Sequence, residues 1–216
     1  MNKNEKFVIT INRELGSGGR TVGSKLAEKL GVNFYDKALI KGLQEHYHLT
    51  TEEIEKIKGR KHNWWGDVQR LMQIAPNMTT GYYVLQQGNE SDRMTTDDMF
   101  QTETMILQDI AAGESCVVAG RSGFHVFRDH PNHLSILIQA SMPFRVKRIM
   151  RKQNISEDEA RKTIEKVDQM RENYVKEYTN TSRYDTRNYD LVISMDHLSE
   201  DAAAEAIIEF INRMSL

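Results

Sequence analysis

Apolar residues in this chain fall into two spacings that alternate along it: unbroken short runs, and repeats at every third or fourth position. Phe7 to Ile11 is a short run that reads as a strand covered on both faces, as parallel sheets require. A turn with three glycines follows. Val22, Leu26 and Leu30 then recur at four-residue spacing up to Gly31, which predicts a helix over 21–30 closed by a glycine. VNFY, 32–35, reads as a second strand. Strand, glycine turn, helix and strand make a βαβ unit, whose crossover is right-handed.

ALIKGL supplies a further helix, and TTEEIEKI begins another with a capping box at Thr50 and Glu53. Residues 59–95 mix aromatics, methionines, glycines and turn formers without strand alternation, and read as an irregular, mainly helical insertion. Helical spacing returns through Met99, Glu103, Ile106 and Ile110. SCVVAG is a buried strand ending at Gly120-Arg121, and LSILIQA, 134–140, is another. SMPFRVKRIMRK is a helix with Ser141 at its N-cap and Pro143 in its first turn. Ser156 and Glu159 form a second capping box and open a long helix through Ala160, Ile164, Val167 and Tyr174. YDLVIS, 189–194, is the last strand, and Ser199 caps a final helix carrying Ala203, Ile207 and Ile211.

Five short strands separated by helices predict an α/β fold: an open, mostly parallel five-stranded sheet with helices on both faces, in one domain over 1–216. Ligands of such folds sit beyond the carboxyl ends of the strands. The first three strands end at ELGSGGRT, at YDK and at AGRSG, which gathers small and charged residues on one rim.

Charge and composition narrow the partners. Over 216 residues the formal net charge is −2, so no global field draws the chain to nucleic acid or an acidic membrane. The single cysteine, Cys116, excludes an intramolecular disulfide framework and a cysteine-based zinc cluster. The apolar stretch near the first residue is too short for a secretory core or a membrane span, which makes the cytoplasm the expected location.

The chemistry lies in ELGSGGRTVG, 14–23. A phosphate loop reads G-x-x-x-x-G-K-[ST]. Gly19 and Thr21 stand at the required letters, with Arg20 in place of the lysine and Glu14 in place of the first glycine. Phosphate needs backbone N–H groups pointing inward, which Gly16, Ser17, Gly18 and Gly19 can present, and a helix N-terminus behind them. It also needs a cation and a hydroxyl able to reach magnesium. Arg20 and Thr21 are placed for these two tasks, and a guanidinium fork matches phosphate oxygens.

ITINRELGSGGRTVGSKLAEKLGVNFYDKALI resembles the opening of the cytidylate kinase-like proteins, a branch of the P-loop nucleoside monophosphate kinases, in which arginine is habitual at the position of Arg20. CVVAGRSGFHVF, ILIQASMPFRVKRIMRK, the Ser156–Glu159 helix and YDLVIS resemble the remainder, covering about two thirds of the chain. The resemblance implies phosphoryl transfer from ATP with Mg2+ to a nucleoside monophosphate, CMP or dCMP first. In that reading Gly16, Ser17, Gly18, Gly19 and Arg20 cradle the donor phosphates and Thr21 contacts the metal. Arg121 meets the acceptor phosphate, and Asp36 stands where an acceptor-side carboxylate belongs. Residues 45–95 form the acceptor-side insertion. Residues 151–188 form a lid, in which Arg161, Asp168 and Arg171 close over the transferring group. Cytidylate kinases carry D-G-R-D around the glycine–arginine turn; this chain has Ala119 and Ser122 there.

Plainer roles stand beside these. Asp36 can cap the following helix. Asp168 and Arg171, three apart, can form a solvated ion pair. His46 and His48, or His125, His130 and His133, lack metal-ligand spacing. Trp64, Trp65, Tyr82 and Tyr83 suit packing of the insertion, and the methionines suit an adaptable core or a homo-oligomer surface. Two functional alternatives remain: a kinase of the same fold for another small metabolite, or a nucleotide-binding regulatory protein without turnover.

Overall fold

The computed structural model describes residues 1–36 and 96–214, and the side chains of 96–99 are outside it. The helices predicted over ALIKGL and TTEEIEKI, the Thr50–Glu53 box and the 59–95 insertion lie outside the described residues. The chain forms two compact units: Met1–Tyr35 with Ile110–Leu216, and Asp36–Asp109.

The elements run β1 (Val8–Arg13), α1 (Gly19–Leu30), β2 (Asn33–Asp36), α2 (Thr96–Gly113), β3 (Cys116–Ala119), α3 (Gly123–Val126), β4 (His133–Gln139), α4 (Met142–Gln153), α5 (Glu157–Thr179), β5 (Leu191–Ser194) and α6 (Glu200–Arg213). The sheet order is β2-β3-β1-β4-β5. The central strand β1 pairs in parallel with β3, Val8 facing Cys116, and with β4, Val8 facing His133; β5 continues in parallel beside β4.

Alternation along the strands gives the sheet two unlike faces. Ile9, Ile11, Val117, Leu134, Ile136 and Ile138 join Val22 and Leu26 of α1 and Ala203, Ile207 and Ile211 of α6 in the main hydrophobic core. A fully buried aliphatic side chain of this kind contributes about 1.5–3 kcal/mol. On the other face Thr10 and Ser135 are buried but polar, where the sequence predicts an apolar strand on both sides. They are tolerated because each is hydrogen-bonded: Thr10 Oγ1 lies 2.7 Å from His133 Nε2, and Ser135 Oγ donates to Asp190 at 2.9 Å.

The helix starts follow their caps. Ser141 accepts from the Phe144 amide, Ser156 and Glu159 form both halves of a capping box, and Ser199 accepts from the Ala202 amide. Two boundaries differ from the spacing. The first strand continues to Arg13, and α1 opens at Gly19, because Gly18 at φ +90° is its N-cap. The short helix α3 and a 3-10 turn at Thr186–Asn188 are too brief to leave a periodic signature. Among the described residues no helix is long and apolar enough to cross a membrane.

Candidate functional site

The glycine-rich loop connects the carboxyl end of β1 to α1. Gly16 and Gly18 are left-handed, at φ +84° and +90°. A Cβ on Gly16 would fall 2.9 Å from the Arg145 carbonyl oxygen, so α4 packs directly on the loop. Ser17 is buried and turns inward: its hydroxyl donates to the Glu14 carbonyl at 3.0 Å and its amide reaches the same oxygen at 3.3 Å. The N-cap, Gly18, has no side chain, and the Gly19 amide meets the Ser17 hydroxyl only at 3.4 Å. A helix start so lightly capped, at the end of a glycine loop, is suited to an anion.

Behind the loop lies a buried network of charges. Asp168, on α5, is buried; one carboxylate oxygen accepts from the Leu15 amide at 3.0 Å and the other from Arg145 Nη1 at 2.6 Å. Arg171 and Arg183 each stand 3.4 Å from it. Both also donate to the Arg13 carbonyl, Arg171 at 3.2 Å. Arg183 is completely buried, and its own amide donates to Glu172 at 3.1 Å. Glu14 accepts from the Ala140 amide at 3.0 Å and stands 3.7 Å from Arg145 Nε, an ion pair too long to be a hydrogen bond. The residues that begin the loop are thus held at their peptide groups by three separate segments of the chain.

In front of the loop lies an open set. Arg148 of α4 forms a 2.6 Å ion pair with Glu200 at the start of α6, and its other nitrogen is 3.5 Å from the Thr21 hydroxyl. A Cβ on Gly18 would be 3.5 Å from both the Arg148 guanidinium carbon and the Glu200 carboxylate. The ammonium of Lys152 is shifted below its usual value, first by burial and then by the charges of Arg148 and Arg20, with Glu200 opposing. Cations therefore crowd the start of α1, and among the described residues Glu200 is the carboxylate that offsets both Arg148 and Lys152. Thr21 and Glu200 are the oxygens near the loop mouth, and among the described residues no group of three or more histidines, cysteines or carboxylates could hold a metal. That donor set fits a magnesium ion that arrives on phosphate, since Mg2+ is commonly held by one or two protein oxygens plus the nucleotide.

Of the remaining residues singled out from the sequence, Arg121 follows β3 in a turn of three consecutive left-handed residues: Gly120 at φ +85°, Arg121 at +54° and Ser122 at +50°. Its guanidinium lies 5.2 Å from the centre of the Tyr174 ring. Strain of this kind in non-glycine residues concentrates at functional sites. Asp36 ends β2, is buried, and belongs to the second unit. Asp168 and Arg171 come together at the loop, whereas Arg161 lies on the exposed side of α5, 3.9 Å from Glu157. Arg13, Arg145, Arg148, Lys152, Arg183 and Glu200 were not singled out as site residues by sequence reasoning. Arg183 carried no signal there, since SRYDTRN reads as a polar turn.

A cavity of about 480 Å³ lies elsewhere, near the amino end of β4, lined among others by His125, Arg128, His133, Arg187 and Asp190. It has the size of a ligand site, but its ionisable side chains already have partners or are held neutral. Burial lowers the His133 pKa to about 4 and also lowers that of His125. Arg128 is paired with Asp129, Arg187 with Asp185, and Asp190 accepts from Ser135. The loop is the better candidate.

The model of the cytidylate kinase-like family matches residues 8–197, and the chain belongs to that family. The fold is that of the P-loop kinases. A solved uncharacterised protein from Eubacterium ventriosum ATCC 27560 superposes with a TM-score of 0.67 at 24% identity, over 97% of this chain and all of that one. Shikimate kinases from Bacteroides thetaiotaomicron and Acinetobacter baumannii share the fold at 14% identity, with TM-scores of 0.52 and 0.50. They cover 95% and 97% of this chain, and 98% and 96% of their own. No curated protein matches the chain.

Proposed function

We propose that this protein transfers the γ-phosphoryl group of ATP to a small acceptor, with a pyrimidine nucleoside monophosphate, CMP or dCMP, as the acceptor of choice. The observation that carries the reading is the crowding of Arg20, Arg148 and Lys152 around a helix start with a glycine N-cap, in a chain of the cytidylate kinase-like family. Like charges held together at a solvent-accessible mouth are costly, and a polyphosphate relieves that cost. Phosphoryl transfer asks the protein for little beyond this: positions for donor and acceptor, and positive charge where negative charge builds up.

The backbone of residues 16–19 holds the donor phosphates. Arg148 exchanges Glu200 for a phosphate oxygen, and Arg20 and Lys152 neutralise the outer charge. Bound magnesium supplies electrophilic polarisation of the phosphates, with the Thr21 hydroxyl as its protein-side oxygen. On the acceptor side Arg121 meets the acceptor phosphate and Asp36 keeps the carboxylate role that the family gives it. Arg171 stands at the loop base, where it steadies the Arg13 carbonyl.

A different small acceptor is the second reading, favoured by Ala119 and Ser122, which stand where cytidylate kinases carry aspartates. The test is ATP-dependent phosphorylation of CMP, dCMP, UMP, AMP, GMP and hydroxylated metabolites such as shikimate, with Arg148→Ala in parallel. CMP or dCMP turnover that falls at least tenfold in Arg148→Ala is the expected result. Turnover of a metabolite alone moves the assignment to the second reading. ATP binding with no turnover of any acceptor removes the kinase and leaves a binding protein.

A further inference from the structure

The phosphate-loop motif places a lysine directly after its last glycine, at the hinge from loop to helix. Two registers can be set on this chain. One starts at Glu14 and matches Gly19 and Thr21, with Arg20 on the lysine. The other starts at Arg13 and matches the terminal glycine alone, at Gly18, with Gly19 on the lysine and Arg20 on the hydroxyl letter, so that Thr21 reaches the metal from one residue further along. The backbone selects the second: Gly18 is the left-handed hinge at φ +90°, and Gly19 is the first residue of α1. The residue at the lysine position therefore has no side chain.

Its space is filled from the other end of the loop. A Cβ built on Gly19 falls 2.6 Å from Arg13 Cβ and 3.2 Å from Arg13 Cγ, so the Arg13 stem runs where a side chain from position 19 would start. The guanidinium then passes to the turn after β3: a Cβ on Gly120 would collide with Arg13 Nη1. Glycine at 19 and at 120 is what lets Arg13 lie in this path. Its carbonyl is fixed by Arg171 and Arg183, so the side chain leaves from a locked backbone. Arg20, one residue further along α1, contributes its charge to the surroundings of Lys152 on α4.

We propose that Arg13 supplies the phosphate-binding cation that a lysine supplies in other loops of this type, reaching across from the first position of the motif and ending beside the turn that carries Arg121. The proposal rests on the phosphate-site reading of the loop. It divides the labour between the two arginines: Arg13 serves the phosphate between donor loop and acceptor turn, and Arg20 the outer donor charge.

The experiment is calorimetric titration of the full chain with ADP, ATP and inorganic pyrophosphate, for the natural sequence, Arg13→Ala, Arg13→Gly, Arg20→Ala and the double variant Arg13→Gly with Gly19→Lys. Lys162→Ala serves as a surface control, and thermal melting checks folding. Arg13→Ala is expected to weaken pyrophosphate binding by roughly 10- to 100-fold, the worth of one charge-assisted hydrogen bond. Arg20→Ala is expected to weaken it less. The double variant moves the cation to the ordinary lysine position, with Ile138 Cβ 3.2 Å from the new Cβ as the tight contact, and is expected to bind more strongly than Arg13→Gly alone. A merely structural Arg13 would not be rescued in this way.

Binding by Arg13→Ala equal to the natural sequence overturns the proposal while leaving the phosphate site intact. A folded double variant no better than Arg13→Gly also overturns it, and this arm decides the matter if Arg13→Ala does not fold. Absence of any binding by the natural sequence overturns the phosphate-site reading, and the assignment of Arg13 with it.

Discussion

Two sets of charged side chains border the same loop, and they are built to opposite rules. In the set behind it, Asp168, Glu14, Arg145, Arg171 and Arg183 are spent on one another and on the peptide groups of residues 13–15, with Arg183 wholly buried. In the set in front, Arg148 and Lys152 share Glu200 and repel each other. Charge bound to carboxylates and peptide groups fixes geometry; like charges set side by side are what a bound anion would relieve. Proximity to the loop alone says nothing of which task a residue has.

The largest effect that could break this contrast comes from Asp168→Ala. Removing a buried carboxylate leaves Arg145 and Arg183 without their shared acceptor and should cost about 3–5 kcal/mol, read from urea unfolding. A cost no larger than that of a surface substitution would erase the distinction between the two sets. The far end of β4 provides a control that leaves both sets untouched. Burial holds His133 neutral, with its pKa lowered to about 4 against about 6.5 in the unfolded chain. Unfolded protein therefore takes up a proton that the native state refuses. Stability is fully present above pH 6.5 and falls as pH drops toward 4, by up to roughly 3 kcal/mol. Stability measured against pH should show that slope, and His133→Gln should flatten it.

Smaller effects sharpen the contrast. Gly16→Ala combines a left-handed backbone with a 2.9 Å approach to the Arg145 carbonyl, and should cost about 1–3 kcal/mol in thermal unfolding. Gly31→Ala, equally left-handed but with nothing within 4 Å, should cost about 1 kcal/mol. Least costly to the fold is Glu200→Gln, below about 1 kcal/mol for a partly exposed pair. It should nonetheless tighten pyrophosphate binding about fivefold, the worth of one like charge near 4 Å in water. Weaker binding in that variant would mean that Glu200 positions Arg148 rather than competing for it.

Much of the fold was legible because it follows from local rules. Ser141, Ser156 with Glu159, and Ser199 announce their helices through hydroxyls that the backbone needs, and five short apolar runs give five strands. The loop was legible through its glycines. What escaped depends on residues far apart in the chain. Arg145, in FRVKRIMRK, looks like any basic residue on a helix until Asp168 is set beside it. The polar face of the sheet was missed because Thr10 and Ser135 sit within runs that read as apolar, and their partners, His133 and Asp190, come from other elements or strand ends. Spacing sets Arg20 at the lysine letter and cannot reveal which glycine is the hinge. The register proposed from Arg13 rests on the backbone angle of Gly18 and the space claimed by Arg13.

The position of β1 in the sheet has a consequence for how the molecule assembles. This strand precedes the other described strands in the chain, yet both of its neighbours begin more than 100 residues later, at Cys116 and His133. Its hydrogen bonds cannot close until the chain has folded back over that distance, a slow step with a large loop-closure cost. The loop waits longer still, since the Leu15 amide is completed by Asp168 and the Arg13 carbonyl by Arg183. The loop's backbone is therefore locked only after residue 183 has been made, and pulsed hydrogen exchange should find the Leu15 amide protected later than those of α6 and α1. A nascent chain stalled before residue 168 would carry every glycine of the motif and lack the means to hold them in place.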